Sequence, residues 1–208
     1  MSSISVAGDV SGAISIAAPS AAGSGVLTLP TGTDTLVGKA TTDTLTNKSI
    51  AATQLTGTIA ASALPAGSVL QVVNGTYATL VSTSTSTFVS TGLTANITPR
   101  SASSKILVFA NVVGVGKQTG NASVMLRLYR GASSITGFED TAGYTATTAA
   151  NMIGSCSTTY LDSPATTSST TYTVYFASSA NNAQAQVQYW GANQANATST
   201  ITLMEIQG

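Results

Sequence analysis

The chain has 208 residues, seven basic and seven acidic side chains, no histidine and one cysteine, so its formal net charge is zero. Only 7% of its residues are charged, against about 25% in an ordinary soluble domain. Nucleic-acid binding requires a basic surface, and a membrane helix requires ~18 consecutive apolar residues; the sequence contains neither. We therefore expect no nucleic-acid partner and no membrane insertion.

The first 65 residues contain no aromatic side chain, whereas every Trp, Tyr and Phe follows them. Aliphatic residues alternate with small or polar ones in short runs, such as Ile4–Val6 and Ile14–Ile16, which is the period of a β-strand. A near-repeat follows, in which Thr33–Lys39 is echoed by Thr42–Lys48. Because such units cannot bury their aliphatic side chains alone, we predict that residues 1–65 intertwine with sister chains or dock on a larger particle. A disordered tail of low complexity is the alternative.

Residues 66–208 have the pattern of a compact β domain. Short alternating runs are separated by Gly, Asn, Ser and Pro clusters, and no stretch has sustained helical periodicity. The predicted strands are Val69–Val73, Thr87–Leu93, Ala95–Ile97, Lys105–Val115, Ser123–Arg130, Met152–Leu161, Thr171–Ala177, Gln184–Trp190 and Thr200–Ile206. Their number and spacing predict an all-β fold, a β-sandwich with jelly-roll-like topology.

Two of these strands also predict which side chains share a face. In Thr200–Ile206, Ile201 and Glu205 point one way, and apolar residues also point the other way, as in a strand covered on both faces. In Thr171–Ala177, Tyr175 points away from the neighbouring aromatic side chains.

The sequence carries no catalytic constellation, and we predict a non-enzymatic protein without cofactor or metal. The absence of histidine removes the commonest general base and transition-metal ligand and excludes a Ser-His-Asp triad. The one close carboxylate pair, Glu139–Asp140, consists of neighbours that would point to opposite faces of an extended strand. Such neighbours cannot easily flank one glycosidic bond. We interpret Cys156 as a small buried hydrophobe.

Two polar segments are candidate ligand-binding loops, because aromatic rings can stack on sugar faces while amides form hydrogen bonds. The alternative role for each aromatic side chain is packing in the core or at a subunit interface. The first segment contains Phe138, Glu139, Asp140 and Tyr144, and the second contains Trp190, Asn193, Gln194 and Asn196.

Four phrases of the sequence resemble recurrent segments of bacteriophage tail-fibre and related virion proteins. They are Thr42–Ile50 with Leu55–Ile59, then Leu64–Val72, then the closing run Ile201–Ile206. Leu64–Val72 resembles the joint between a fibre shaft and its distal domain. The resemblance implies a homotrimer that attaches to the particle through its N-terminal segment and carries an outward C-terminal domain.

The first hypothesis is therefore a phage tail fibre, with residues 1–65 as attachment or shaft segment and residues 66–208 as a trimeric β-sandwich head. The head would bind a host cell-surface glycan or protein without cleaving it. The avidity of three heads per fibre would strengthen this binding. The alternatives are a capsid decoration protein or head fibre, and a polysaccharide-degrading tailspike. Because the first residues lack a secretory signal, we expect synthesis in the host cytoplasm and assembly into the virion.

Overall fold

The structure, a computed structural model, describes residues 3–7, 13–17, 49–54, 56–57, 59–189, 191 and 198–208. The chain divides into two units, Met1–Thr56 and Gly57–Gly208. This division lies a little before the change in composition at residue 65 on which the predicted domains were based.

The first unit contains a β-hairpin. Strands β1 (Ser3–Ala7) and β2 (Ala13–Ala17) pair antiparallel, with Ser5 opposite Ser15. Both runs have the predicted alternation, so these two strands are confirmed. A short 3₁₀ turn covers Ala52–Gln54. The near-repeat within residues 33–48 lies outside the described residues.

The second unit is built from strands, preceded by a 3₁₀ turn at Ala61–Ala63. Among the described residues it contains no α-helix. The strands are β3 (Val69–Tyr77), β4 (Val81–Thr83), β5 (Val89–Ile97), β6 (Lys105–Lys117), β7 (Ala122–Arg130), β8 (Ser133–Thr145), β9 (Asn151–Asp162), β10 (Thr170–Ser178), β11 (Ala185–Val187) and β12 (Ser199–Ile206).

Its long strands pair as a set of nested antiparallel ladders. β3 pairs with β12, β5 with β10, β6 with β9, and β7 with β8. Two further ladders, β12 with β6 and β10 with β7, join these pairs into two sheets. The first sheet has the order β3-β12-β6-β9 and the second has the order β5-β10-β7-β8. The short strands β11 and β4 extend the first sheet beyond the end of β12.

The core lies between the two sheets, because alternate side chains of each sheet point inward. Buried positions of β12 and β10 follow a period of two, which is why one face of each strand is apolar. The all-β sandwich expected from the sequence is therefore confirmed. Its fully buried core side chains include Leu93, Ile106, Val108, Val112, Val124, Leu126, Leu128, Tyr172, Val174, Phe176, Ile201 and Leu203.

The strand predictions were wrong in four places, the smallest of which is the short strand β4, which was not predicted. β8 was missed, and the segment that contains Phe138 and Tyr144 was predicted to be a loop. Its ladder with β7 carries several register shifts, which disturb the period-two pattern by which a strand is recognised. The predicted strands Thr87–Leu93 and Ala95–Ile97 are one strand, β5. In the predicted strand Gln184–Trp190, only the three residues of β11 are a strand among those described.

One end of the sandwich is organised by the buried side chain of Lys117, at the end of β6. Its Nζ atom donates hydrogen bonds to the carbonyl oxygens of Thr119, Thr145 and Thr148, and to Thr145 Oγ1 at 2.6 Å. Thr119 belongs to the β6–β7 turn, Thr145 ends β8, and Thr148 belongs to the β8–β9 connection. A buried ammonium group must have such partners, so Lys117 ties the two connections together.

The opposite end contains a partly exposed ion pair that joins the two sheets. Arg130 Nη1 lies 2.9 Å from both carboxylate oxygens of Asp162, and the Tyr172 hydroxyl donates a 2.6 Å hydrogen bond to Asp162 Oδ2. Burial, followed by this hydrogen bond, raises the pKa of Tyr172 well above its usual range. Because Asp162 ends β9 while the other two residues belong to the second sheet, the network closes the sandwich at this end.

A second buried carboxylate, Glu205 on β12, lies at the same end. Its Oε2 accepts a 2.6 Å hydrogen bond from Gln71 Nε2, and its Oε1 accepts one of the same length from the Arg100 backbone N–H. Burial alone would raise the pKa of Glu205, but these hydrogen bonds outweigh it and hold the pKa below its usual value. Glu205 faces the core together with Ile201, as predicted.

Candidate functional site

The first predicted binding segment lies on β8, the edge strand of the second sheet. Phe138 is half-buried and packs against the core. It therefore serves as a packing residue, which was the alternative to ligand binding for each aromatic side chain. Glu139 Oε1 accepts hydrogen bonds from the backbone N–H groups of Asp140 and Thr141. Tyr144 is the one aromatic residue of this segment with a largely exposed ring, at 54%, and its hydroxyl donates to Asn121 Oδ1.

The second predicted binding segment is not placed by the structure. Trp190, Asn193, Gln194 and Asn196 lie outside the described residues. The prediction that they contact a ligand therefore stays a prediction.

The outer face of the second sheet carries an aromatic surface that the sequence analysis did not single out. Tyr129 of β7 and Tyr175 of β10 lie with their ring centroids 4.2 Å apart at a tilt of 31°. Arg127 of β7 lies directly opposite Tyr175, and its guanidinium carbon is 4.2 Å from the centroid of the Phe88 ring. We call these four residues, Phe88, Arg127, Tyr129 and Tyr175, the aromatic platform.

Polar groups border the aromatic platform on the same face. Thr94 Oγ1 and Thr173 Oγ1 are 2.9 Å apart, and the Thr171 hydroxyl donates to Asn96 Oδ1. On the other side of Arg127 stands Gly137 of β8, where an added Cβ atom would meet only the Arg127 side chain, at 3.9 Å. The face thus combines aromatic rings, hydroxyl and amide groups, and open space beside a guanidinium, which are groups that can stack on a ligand and form hydrogen bonds with it.

Part of this platform had a signal in the sequence. The prediction that Tyr175 points away from its aromatic neighbours is confirmed, because Tyr172 and Phe176 are fully buried while Tyr175 is half-exposed. Alternation in β7 likewise places Arg127 and Tyr129 on the outer face. The proximity of Phe88 could not be predicted, because it depends on β10 lying between β5 and β7.

The outer face of the first sheet has a different character. A row of directly opposed apolar residues crosses all four strands: Val72, Met204, Leu107 and Leu161. Val72 and Leu161 expose 55% and 50% of their surface. We call these four residues the apolar row. A continuous apolar row on an outer sheet face is uncommon in a monomer and is typical of an interaction surface.

On one side of the apolar row this face is polar and uncharged, whereas on the other side the exposed Lys105 of β6 lies opposite Ile206. The row next to the apolar row contains Phe109, which is 40% exposed, between threonine and asparagine side chains. A groove of about 380 Å³ begins at Phe109 and continues along the hydroxyls and amides of the sheet. It is lined by Phe109, Ala110, Asn111, Ser157, Thr158, Thr159, Thr200 and Thr202.

A smaller cleft, of about 270 Å³, lies between β9 and the residues that follow β11. Gly114, Met152, Gly154, Tyr189 and Gly191 line it. Its surface is mainly apolar, and among its lining residues only Tyr189 carries a polar side-chain group. Because specific sites fix their ligands with several convergent polar groups, this cleft is a weaker candidate than the aromatic platform.

Cys156 of β9 is buried, in agreement with its interpretation as a small core residue. Burial, with a smaller contribution from Glu139, raises the pKa of its thiol to about 11. Since the thiolate is the reactive form, we expect iodoacetamide at pH 8 to modify Cys156 in the folded chain at least about 100-fold more slowly than in urea. Mass spectrometry of timed samples measures this ratio, and equal rates would contradict the buried position.

The described residues contain no group of three or more His, Cys, Asp or Glu side chains arranged to hold a metal ion. Within the same residues, no helix has the length and apolar character needed to cross a lipid bilayer. No protein-family model matches the chain, and no curated protein matches it either.

Proposed function

We propose that this chain is a structural protein of a bacteriophage virion, a homotrimeric fibre whose C-terminal unit binds the host surface without catalysis. The observation that carries the proposal is the apolar row on the outer face of the first sheet, which gives the chain a surface for self-association. The resemblance of its N-terminal phrases to fibre segments supplies the class of particle and the number of copies.

The strand order supports a finer assignment of the fold. The first long strand pairs with the last, the second with the second-last, and so on inward to β7 and β8. A long hairpin rolled into two four-stranded sheets has this order, which is that of a jelly roll. Jelly rolls occur in viral structural proteins and lectins, but a fold does not define a function, so the fold agrees with the proposal without carrying it.

The chemistry of the first sheet favours a second copy of the chain as its occupant. The apolar row and the next two rows on one side of it, Asn74-Thr202-Phe109-Thr159 and Thr76-Thr200-Asn111-Ser157, contain no ionisable side chain, whereas the row on its other side contains the exposed Lys105. Rows without ionisable groups have nothing to offer a charged partner and do not repel their own copies, and Lys105 adds one charge at the margin of this face. The chain as a whole also has zero net charge. Burial of the row in a trimer would remove most of its exposed apolar surface from water.

A lysine placed within the apolar row tests this assembly. Leu161→Lys is suitable because the side chain is half-exposed, so the isolated unit can accommodate a charge there. We expect the unaltered chain to sediment as a trimer and the variant as a monomer. Burying an uncompensated charge at each contact costs several kcal/mol, or at least about 100-fold in association.

Ser134→Lys is the matched control, because it adds the same charge at an exposed position of the second sheet. The control should remain a trimer, and the circular dichroism of both variants should equal that of the unaltered chain. A trimeric Leu161→Lys variant would refute the proposed interface.

A further inference from the structure

Arg127 is the charged member of the aromatic platform, and its environment differs from that of the neighbouring Arg130. Arg130 has its carboxylate partner in Asp162. Arg127 contacts the Phe88 ring, and no described residue forms an ion pair or a hydrogen bond with its guanidinium. Gly137, directly opposite Arg127 on the edge strand, leaves the space beside the guanidinium open.

A guanidinium that lies over an aromatic ring keeps the N–H groups in its own plane available. These groups form a planar fork that fits a carboxylate through two parallel hydrogen bonds. The described residues around Arg127 supply no second cation and no helix N-terminus. A single negative charge therefore suits the position better than a phosphate dianion.

The rest of the platform favours a sugar over a peptide as the carrier of that carboxylate. The Tyr129–Tyr175 pair presents aromatic surface of the kind on which the C–H face of a sugar ring packs. Thr173 and Thr94, beside this pair, bring hydroxyl groups to its rim. An extended peptide is usually bound by strand addition at a sheet edge, whereas the backbone of β7 and β10 is already paired on both sides.

We propose that the aromatic platform is a binding site for an acidic sugar, with the sugar carboxylate on Arg127 and the ring on Tyr129 and Tyr175. This inference rests on the proposed function and specifies its ligand as a carboxylate-bearing glycan. It also assigns different roles to the two outer faces: the first sheet contacts sister subunits, and the second sheet faces the host.

Calorimetric titration of the full chain with trigalacturonate and with its methyl ester tests the site. The ester has the same rings without the charges. We expect the unaltered chain to bind the acid more tightly than the ester. Arg127→Gln should weaken binding of the acid by about 10- to 100-fold, because a charge-assisted hydrogen-bond pair is lost, and should bind acid and ester equally. Arg127→Lys keeps the charge but not the planar fork of N–H groups. Its affinity for the acid should therefore lie between those of the unaltered chain and of Arg127→Gln.

Arg100→Gln is the control, since it removes one positive charge from an exposed side chain in the β5–β6 connection. It should leave both affinities unchanged, and equal melting temperatures would show that all variants fold. A hexaglutamate peptide distinguishes the source of the carboxylate, and binding as tight as that of trigalacturonate would overturn the sugar assignment.

Equal affinity of the unaltered chain for acid and ester, unchanged in Arg127→Gln, would overturn the acidic-sugar inference but leave glycan binding intact. Failure of both sugars to bind would overturn the site altogether. Neither result affects the proposed trimer, which is judged by sedimentation without any sugar.

Discussion

Replacing Asp162 with asparagine is expected to lower the free energy of unfolding by about 2–3 kcal/mol. The carboxylate accepts hydrogen bonds from Arg130 and from the buried Tyr172 hydroxyl. An asparagine can accept through one oxygen only, and its amide group would oppose one of these donors. The cost stays below that of a fully buried pair because the Arg130 side chain is 35% exposed. Urea unfolding followed by circular dichroism measures the change.

Tyr172→Phe provides the comparison within the same network. It removes one hydrogen bond while leaving the Arg130–Asp162 pair in place, so we expect a smaller loss of about 1–2 kcal/mol. If Asp162→Asn lowered the free energy of unfolding by no more than Tyr172→Phe does, the ion pair would not close this end of the sandwich as described.

Glu205→Gln is expected to destabilise the fold by about 2 kcal/mol at neutral pH, because both carboxylate oxygens accept hydrogen bonds from inside the protein. In the Glu205→Gln variant, either the Gln71 amide or the Arg100 backbone N–H would face the NH₂ group of the new glutamine instead of an acceptor oxygen. Glu139→Gln is the matched control: it removes the same charge, but the Glu139 hydrogen bonds reach a single oxygen that glutamine retains. We expect the control to change stability by less than about 0.5 kcal/mol.

The destabilisation by Glu205→Gln should depend on pH in a defined direction. The folded-state pKa of Glu205 is lowered, whereas in the unfolded chain a glutamate has a pKa of about 4.3. The stability that this carboxylate provides is therefore fully present above that pH and is lost as the pH falls through the folded-state pKa. Unfolding measured from pH 7 to pH 2 should show the two proteins converging in acid. A constant difference across this range would contradict the assigned hydrogen bonds.

The sequence could predict those parts of the fold in which alternation is regular. In β12, Ile201 and Glu205 share a face as expected, and this is the face directed to the core, while in β10 Tyr175 points to the outer face. β8 could not be recognised, because its register shifts against β7 interrupt the alternation. A buried glutamate such as Glu205 also follows the predicted face, but its partners Gln71 and Arg100 come from distant parts of the chain.

The candidate site could be predicted only in part, for a related reason. The predicted ligand-binding residues lie in segments that were expected to be loops, since loops commonly carry function. The aromatic platform instead lies on the face of a sheet, where Phe88 and Arg127 come together through strand pairing over a long separation in sequence. Strand order of this kind depends on long-range contacts that no local pattern encodes.

The two outer faces of the sandwich together define the proposed mode of action. A trimer formed through the first sheet would leave three copies of the aromatic platform on its outside. Sites that bind single sugars weakly gain strength when several engage one surface, because the later binding events take place at a high effective concentration. Assembly is therefore a condition for attachment in this account, and the proposed trimer would explain the neutral composition of the chain by sharing a large part of its surface between copies.

Sedimentation equilibrium of the unaltered full chain at micromolar concentration tests the central claim most directly. The account predicts a single species with three times the 20.7 kDa mass of the chain, and no detectable dissociation on dilution. A stable species of 20.7 kDa under the same conditions would show that the apolar row remains exposed to water, and the proposed fibre would be wrong.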